Sequence, residues 1–317
     1  MNEKIKVFEA FAGIGTQRMA LRNLGIEHEV VGISEIDKYA IQSYQAIHGE
    51  TMNFGDISKI NPNNLPDFDL FTYSFPCQDL SVAGKQQGMV RGQSRSGLLY
   101  ECEKIIETKH PKYLLLENVK QLVGKKFYPQ FQEWLGYLES LGYTNYWEVL
   151  NAKDYVPQNR ERVFVVSILN DDQGFGFKYN KQDFTNSFFL DKTTENTYSK
   201  LNEKLKKQIN SILPKRNGFV FCELRCDEGI RTFKNNLCGT LRTIDGCGNK
   251  HIIMQQDNEI IFRKLTPNEC WRLMGINDDD FQKASQYTSK AQLYKQAGNA
   301  IVVPVLEMIF KNLFIEG

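Results

Sequence analysis

The segment Ile5-Lys6-Val7-Phe8-Glu9-Ala10-Phe11-Ala12-Gly13-Ile14-Gly15 decides the fold. Ile5–Phe11 has the apolar and aromatic content of a buried strand, and the two glycines after it predict a tight turn into a helix that runs to Leu24. Gly25 stands where a helix C-cap is expected. A strand, a glycine turn and a helix in this order begin a sheet flanked by helices, so the sequence predicts an α/β fold.

Strand and helix patterns continue to alternate through the first half of the chain. Further strands are predicted at His28–Ser34, Asp69–Ser74, Tyr113–Leu116, Trp147–Leu150 and Val163–Leu169, with helices at Asp37–His48 and Leu98–Thr108. This alternation predicts a Rossmann-like, mostly parallel sheet with helices on both faces.

The pattern changes after about Asn170. Residues 177–261 are polar and rich in Asn and Lys, and they predict a second, smaller and irregular domain. A helical pattern returns near Phe262, and the apolar run Ile301–Phe314 is long enough to pack back on the first domain. We therefore expect a first domain of residues 1–176 completed by 262–317, with 177–261 forming the second.

Composition excludes several classes of protein. The 317 residues are 41% apolar and 24% charged, which is typical of a globular chain and not of a disordered one. The absence of about 18 uninterrupted apolar residues and of a signal-peptide pattern predicts a cytoplasmic protein without a membrane partner. The net charge is +1, but Lys200–Lys250 carries eleven Lys and Arg against five Asp and Glu. This excess fits a surface that faces phosphates, and equally a solvated charged face.

Seven cysteines, an odd number without framework spacing, argue against disulfides. Cys222 and Cys226 have the spacing of a zinc-ligand pair, but Cys238 and Cys247 do not form a second one. No metal site is predicted.

The glycine turn lies where α/β sheets bind nucleotides. Glu35 ends the second predicted strand 20 residues after Gly15, which is the usual spacing for a carboxylate that binds ribose hydroxyls. Arg18 stands in place of the third glycine of the dinucleotide fingerprint, so an adenosine without pyrophosphate fits better. Gly55-Asp56-Ile57 is a candidate contact for the adenine, although all these residues also suit an ordinary structural turn.

A thiol and a carboxyl group follow two neighbouring predicted strands. Phe75-Pro76-Cys77-Gln78 comes directly after one strand, and Glu117-Asn118-Val119 ends the next. Because the carboxyl ends of parallel strands meet at one edge of a sheet, Cys77 and Glu117 are a candidate nucleophile and acid. Either residue alone is more often structural.

Six motifs in order resemble those of the DNA (cytosine-5)-methyltransferases and span residues 8 to about 305. They are Phe11-Ala12-Gly13-x-Gly15, Pro76-Cys77-Gln78, Glu117-Asn118-Val119, Gln158-x-Arg160-x-Arg162, Arg263-Lys264-Leu265-Thr266-Pro267-x-Glu269 and Gln296-x-Gly298-Asn299-Ala300. The length is similar to that of compact bacterial and phage modification enzymes.

The resemblance implies a covalent mechanism on a cytosine flipped out of duplex DNA. Cys77 would add to carbon 6, and Glu117, held protonated by a raised pKa, would donate at N3. Arg160 would hold the O2 edge and Arg162 would support it. The methyl donor would be S-adenosylmethionine, leaving S-adenosylhomocysteine, with no metal.

The resemblance also implies cofactor and DNA contacts. The expected cofactor-binding residues are Phe11, Ala12, Gly13, Ile14, Gly15, Glu35, Ile36, Asp56, Ile57, Pro76, Leu98, Asn299 and Ala300. The expected DNA-binding residues are Gln78, Ser81, Lys85, Arg95, Gln158, Arg225, Arg231, Thr240, Leu241 and Arg242. Thr16, Ile36 and Ala300 depart from the residues frequent in the family. The loop 79–97 would close over the DNA.

Within 177–261, Gly239-Thr240-Leu241-Arg242 resembles the Thr-Leu signature of a target-recognition domain. Its neighbours Arg225 and Arg231, together with Arg242, suit bidentate contact with guanine. Lys204, Lys206 and Lys207 suit phosphates or the solvated face of a helix.

The implied enzyme is a monomer that modifies double-stranded DNA, and a separately encoded restriction endonuclease is its expected functional partner. Two alternatives stay open. A transfer-RNA cytosine-5 methyltransferase shares the fold, although its Cys-Phe-Thr signature is not found here. A non-catalytic DNA-binding relative would be expected to lose Cys77 or Glu117, and both are present.

Overall fold

A computed structural model describes residues 4–76, 95–178, 190–192, 195–213, 218–225, 228–243 and 250–316, except the side chains of Arg95 and Ser96. The chain divides into two compact units. The first comprises Met1–Asn151, Glu161–Asn180 and Val303–Gly317, and the second comprises Ala152–Arg160 and Lys181–Val302. Residues 262–302, which the sequence assigned to the first domain, thus cluster with the second unit.

The first unit is built on a six-stranded sheet. Its strands are β1 (Ile5–Ala10), β2 (His28–Ser34), β3 (Leu70–Tyr73), β4 (Tyr113–Val119), β5 (Tyr143–Asn151) and β7 (Glu161–Leu169). The strand order is β2-β1-β3-β4-β7-β5, with parallel pairing up to β4 and antiparallel pairing beyond it. The helices are α1 (Thr16–Asn23), α2 (Lys38–His48), α3 (Leu99–Lys109), α4 (Tyr128–Ser140) and α9 (Val303–Phe314).

Local sequence sets the ends of the first two helices. The Asp37 side chain accepts hydrogen bonds from the N–H groups of Tyr39 and Ala40, so α2 begins after it. Gly25 adopts φ +67°, and the N–H of Ile26 donates to the carbonyl of Leu21. The left-handed glycine and this hydrogen bond end α1, as the sequence predicted from Gly25.

The second unit contains an antiparallel sheet where the sequence predicted irregular structure. Its strands are β8 (Phe219–Arg225), β9 (Gly229–Thr232), β11 (Lys250–Gln256) and β12 (Glu259–Lys264), in the order β12-β11-β8-β9. Two short strands, β6 (Gln158–Asn159) and β10 (Cys238–Gly239), pair in parallel. The helices are α5 (Glu203–Ile212), α6 (Pro267–Arg272), α7 (Asp278–Ser285) and α8 (Lys290–Asn299).

Pairing explains why residues 262–302 join the second unit. Phe262, where the sequence predicted a return to helix, lies in β12 and pairs with Ile253 of β11. Arg263 makes two hydrogen bonds to the buried carboxylate of Glu269, which joins β12 to α6. Arg263 and Glu269 are separated by only six residues, so these contacts form locally.

One described segment, Lys290–Phe314, is long and apolar enough to cross a membrane, but 72% of its apolar window is buried within the fold. It is interrupted at Ala300, which ends α8 before α9 begins. Such burial is typical of a core helix.

Candidate active site

The turn after β1 exposes backbone to a ligand. Phe11, Gly13 and Gly15 have φ of 55°, 57° and 76°, a region that glycine adopts freely. A Cβ at Gly15 would lie 2.5 Å from Nε2 of His48, so this glycine is required by packing. A Cβ at Gly13 would meet nothing within 4 Å, so open space lies in front of the backbone there.

Glu35 organises the neighbouring end of β2. Its carboxylate accepts hydrogen bonds from the N–H groups of Gly13 at 2.9 Å and of Ile36 and Asp37 at 2.8 Å each. The Asn53 side chain binds both the N–H and the carbonyl of Glu35. Sequence reasoning missed Asn53, because nothing in its local pattern connects it to β2. The Ile36 side chain is 74% exposed, which leaves an apolar surface beside the carboxylate.

Asp56 and Ile57, two further cofactor-binding candidates, have different surroundings. Asp56 accepts hydrogen bonds from the N–H and the hydroxyl of Ser58, and these bonds lower its pKa. Ile57 is only 4% exposed and packs in the core, so we assign it support of the site and no ligand contact. Of the four remaining candidates in this unit, Pro76 and Leu98 are half-buried, and Ala12 and Ile14 are each 3% exposed.

These observations test whether the site suits S-adenosylmethionine. The open space before Gly13 lets a ligand approach the backbone, and the Glu35 carboxylate can accept hydrogen bonds from ribose hydroxyls. The exposed apolar side chain of Ile36 can pack on an adenine ring. The residues present fit the adenosine part of this molecule.

A chain of contacts from the buried Glu9 through Tyr44 and His48 reaches the glycine turn. Glu9 is fully buried, and the hydroxyl of Tyr44 donates to its Oε2 at 2.6 Å. Burial raises the pKa of Glu9 to about 7, against the lowering effects of the Tyr44 hydrogen bond and of Arg18. The Tyr44 ring packs against His48 at 4.6 Å, and Nε2 of His48 lies 3.1 Å from the carbonyl of Ile14. Sequence reasoning missed Glu9, although a carboxylate within an apolar strand was a visible signal.

Glu117 lies near the end of β4, held by an arginine. Its Oε1 lies 3.1 Å from Nε of Arg162, and the two side chains are only 10% and 18% exposed. In the register of β4 and β7, Val119 faces Arg162, so Glu117 and Arg162 form a diagonal cross-strand pair. The guanidinium favours an ionised carboxyl and burial opposes it. The expectation that Glu117 is protonated therefore stays a prediction.

Asn118 connects β4 to the segment that precedes Cys77. Its Nδ2 donates to the carbonyl of Phe75 at 3.1 Å, and its Oδ1 accepts from the N–H of Val119 at 2.9 Å. Phe75 is buried and stands two residues before Cys77 in the chain. Cys77, Gln78, Ser81, Lys85 and the side chain of Arg95 lie outside the described residues.

Arg160 holds the second unit together, in contrast to the catalytic role expected from sequence. It is 4% exposed, and its guanidinium donates to the carbonyls of Leu241 at 3.0 Å, Gly298 at 3.2 Å and Ala300 at 2.9 Å. These bonds join three separate segments of the unit. We therefore assign Arg160 a positioning role.

Gln158 and Leu241, expected to bind DNA, are buried as well. Gln158 is 0% exposed, accepts from the N–H of Leu241 at 3.0 Å and donates to the carbonyl of Leu273 at 2.8 Å. The Thr240 hydroxyl donates to the carbonyl of Asn159 at 2.7 Å. These bonds brace the unit. Gln158 and Leu241 are buried and Thr240 is half-buried, and the DNA contacts expected of all three stay predictions.

Arg242 and Asn299 remain exposed in the second unit. They flank a close approach, since a Cβ at Gly298 would lie 2.7 Å from the backbone carbon of Arg242. The glycine of the last motif is therefore explained by packing between α8 and the Thr240-Leu241-Arg242 segment. Ala300 is 7% exposed.

Comparison with known proteins decides the family. A model described as C-5 cytosine-specific DNA methylase matches residues 5–315. The chain belongs to this family. It is a DNA (cytosine-5)-methyltransferase, as the motifs and the α/β fold class implied, and membership implies DNA as substrate and S-adenosylmethionine as methyl donor.

Relatives of the methyltransferase match nearly its whole length. The type II methyltransferase M2.ScrFI of Lactococcus lactis subsp. cremoris is 42% identical, over 98% of this chain and 99% of the relative. The type II methyltransferase M.NlaX of Neisseria lactamica is 34% identical over 97% and 96%. The structure of the S. pombe Dnmt2 methyltransferase matches with a TM-score of 0.71 at 19% identity, covering 99% of both chains, which shows a shared fold.

Proposed function

We propose that the first unit transfers the methyl group to carbon 5 of a flipped-out cytosine and that the second unit selects the DNA sequence. One observation carries the proposal. Glu117, paired with Arg162, neighbours Asn118, and Asn118 binds the Phe75 carbonyl two residues before Cys77. This arrangement supports an acid and a nucleophile acting on one substrate ring.

In the proposed reaction, the Cys77 thiolate forms a bond to carbon 6 of the cytosine, and the ring electrons move towards carbon 5. Glu117 donates a proton or a strong hydrogen bond at N3, while Arg162 holds its carboxyl group in place. When bound, S-adenosylmethionine supplies an electrophilic methyl group for carbon 5. The carbon 5 proton then leaves to water, the bond to Cys77 breaks to restore the thiolate, and the N3 proton returns to Glu117.

The cofactor contacts belong to the same proposal. Glu35 would accept hydrogen bonds from the ribose hydroxyls, and Ile36 would pack on the adenine. The N–H groups at the start of α1 would face the carboxylate of the methionine part of the cofactor. Asp56 is the candidate acceptor for the adenine amino group. Asn299 and Ala300 rest on the family resemblance alone.

The biological setting is inferred from the relatives. Because relatives at 42% and 34% identity are named type II methyltransferases, we propose that this enzyme acts on a short duplex sequence in a restriction-modification system. A monomeric enzyme in the cytoplasm of a bacterium or of a phage-infected cell, paired with a separate endonuclease, fits this setting.

The test is transfer of a radiolabelled methyl group to duplex DNA, with transfer RNA as the alternative substrate. Wild type should label DNA and form a covalent adduct with duplexes that carry 5-fluorocytosine, because fluorine does not leave as the proton does. The Cys77→Ser variant should bind DNA and cofactor but lose both signals. Labelling of transfer RNA alone, or methylation that survives in Cys77→Ser, would contradict the proposal.

A further inference from the structure

One face of the sheet in the second unit carries a cluster of charged side chains. The opposite face is covered by α5, whose buried Ile209 packs with Cys222, Ile253 and Phe262. The register places Glu223 of β8 opposite both Arg231 of β9 and Lys250 of β11. Side chains paired in this way share a face, and Arg225, two residues along β8, shares it too.

The Glu223 carboxylate is divided between two cations. Oε1 binds the ammonium group of Lys250, which is 2% exposed, and Oε2 accepts from Nε of Arg225 at 3.3 Å and from Nη2 at 3.1 Å. Burial alone would raise the pKa of Glu223, but hydrogen bonds from Lys250 and Arg225 outweigh it and the pKa is lowered. The carboxylate is therefore a fixed negative charge at neutral pH.

Arg225 is held on one edge and open on the other. Its side chain is 36% exposed, and Nη1 lies 3.7 Å from the carboxylate of Glu228, which is 56% exposed. The exposed Glu228 can move away from a ligand, whereas the buried Glu223 cannot. A guanidinium fixed in this way presents two parallel N–H donors, the arrangement that matches O6 and N7 of guanine in the major groove.

We propose that Glu223, braced by Lys250, is a positioning residue that orients Arg225 to read one guanine of the target sequence. This inference rests on the proposed function of the second unit. Burying the charges of Lys250 and Glu223 costs desolvation free energy that an apolar pair would avoid. Orientation of the Arg225 guanidinium is a role that an apolar pair could not fill. Arg231 is exposed on the same face, beside the arginine that reads the base.

The lysines of α5 provide a matched control. Lys204 and Lys207 are exposed on the helix that covers the opposite face of the sheet. Any phosphate contact by these lysines, as the sequence suggested, would therefore be made on the opposite side of the sheet from Arg225. Loss of Lys207 should leave base discrimination unchanged.

The experiment first determines the methylated site by sequencing DNA treated with wild type. Each guanine of that site is then replaced in turn by 7-deazaguanine, which lacks the N7 acceptor. We expect kcat/KM of wild type to fall about 10- to 150-fold at one guanine, as for the loss of one hydrogen bond to a charged group. Arg225→Met and Glu223→Gln should show little further loss at that same guanine, while Glu228→Gln and Lys207→Ala keep the full penalty.

If Glu223→Gln does not fold, the double variant Glu223→Met/Lys250→Met replaces the buried pair by apolar side chains of similar volume and should also lose the penalty. A penalty at the same guanine that persists in Arg225→Met, which has no donor for N7, would overturn the assignment of Arg225. A full penalty in folded Glu223 variants would overturn the positioning role. Failure of wild type to methylate any duplex would instead contradict the proposed function.

Discussion

Arg160 and Arg162 stand two residues apart in one motif, yet they belong to different units and have different partners. Arg162 pairs with the Glu117 carboxylate in the first unit, whereas Arg160 donates to three backbone carbonyls in the second. Residues of one sequence motif therefore serve two different sites in this molecule. In the first unit polar groups gather at strand ends, and in the second the same residue types hold backbone segments together.

The largest expected effect belongs to the first unit. Glu117→Gln keeps the shape of the side chain and its hydrogen-bonding capacity but cannot transfer a proton. We expect a loss in rate of about 10²–10⁴, the usual scale for acid–base assistance. Single-turnover methylation at saturating DNA and cofactor measures it, and the methylated sequence should not change. Unchanged turnover would remove Glu117 from the mechanism.

The two arginines should fail in different ways. Arg160→Lys loses most of the bonds to Leu241, Gly298 and Ala300, so we expect the free energy of unfolding to fall by about 2–4 kcal/mol. Arg162→Lys should reduce the methylation rate, but it keeps a positive charge beside the largely buried Glu117 carboxyl group, so we expect the free energy of unfolding to fall by only about 1 kcal/mol.

Denaturant unfolding together with kinetics separates these outcomes. If Arg160→Lys retains stability but loses rate, its expected role at the cytosine O2 edge is restored, and the distinction between the two arginines fails.

Sequence reasoning predicted the first unit well because backbone requirements produce its signals. Gly15 must be glycine at φ +76°, Asp37 caps the start of α2, and Glu35 directly follows β2. These requirements are local in the chain. The order of short apolar runs then determines a sheet of this kind.

The second unit was harder to predict because its pairings are distant in sequence. Lys250 pairs with Glu223 across a sequence separation of 27 residues, and Gln158 binds Leu241 across a separation of 83 residues. The β8 strand also begins with apolar residues on both faces, which hides its alternation. The local excess of positive charge suggested a free basic surface, whereas Lys250 and Arg225 share a carboxylate.

The burial of Glu9 next to the glycine turn predicts that the free energy of unfolding depends on pH. Its pKa is raised to about 7, chiefly by burial, from about 4.5 in the unfolded chain. The folded protein therefore holds a proton between these values that the unfolded chain has released. The contribution of Glu9 to the free energy of unfolding is therefore fully present below pH 4.5 and is lost as the pH rises through 7, a change of about 3 kcal/mol.

Glu9→Gln should remove this dependence. Free energies of unfolding at pH 5 and pH 8 measure it, and Glu29→Gln on the neighbouring strand, an exposed carboxylate, is the matched control. An equal slope in the wild type and in Glu9→Gln would show that other groups set the pH dependence.

Glu35 gives the smallest expected effect and the most selective one. The carboxylate binds three backbone N–H groups, so Glu35→Ala removes both the acceptor for the ribose and a brace between the turn and β2. Cofactor affinity should fall by about 1–3 kcal/mol, the scale of a charge-assisted hydrogen bond, measured by calorimetry. Glu35→Gln keeps one carbonyl acceptor and should lose less. Duplex affinity and the methylated sequence should stay the same in both variants, because base selection is assigned to the second unit. A changed target sequence in Glu35→Ala would show that the two units do not divide these tasks, and an unchanged cofactor affinity would place the ribose elsewhere.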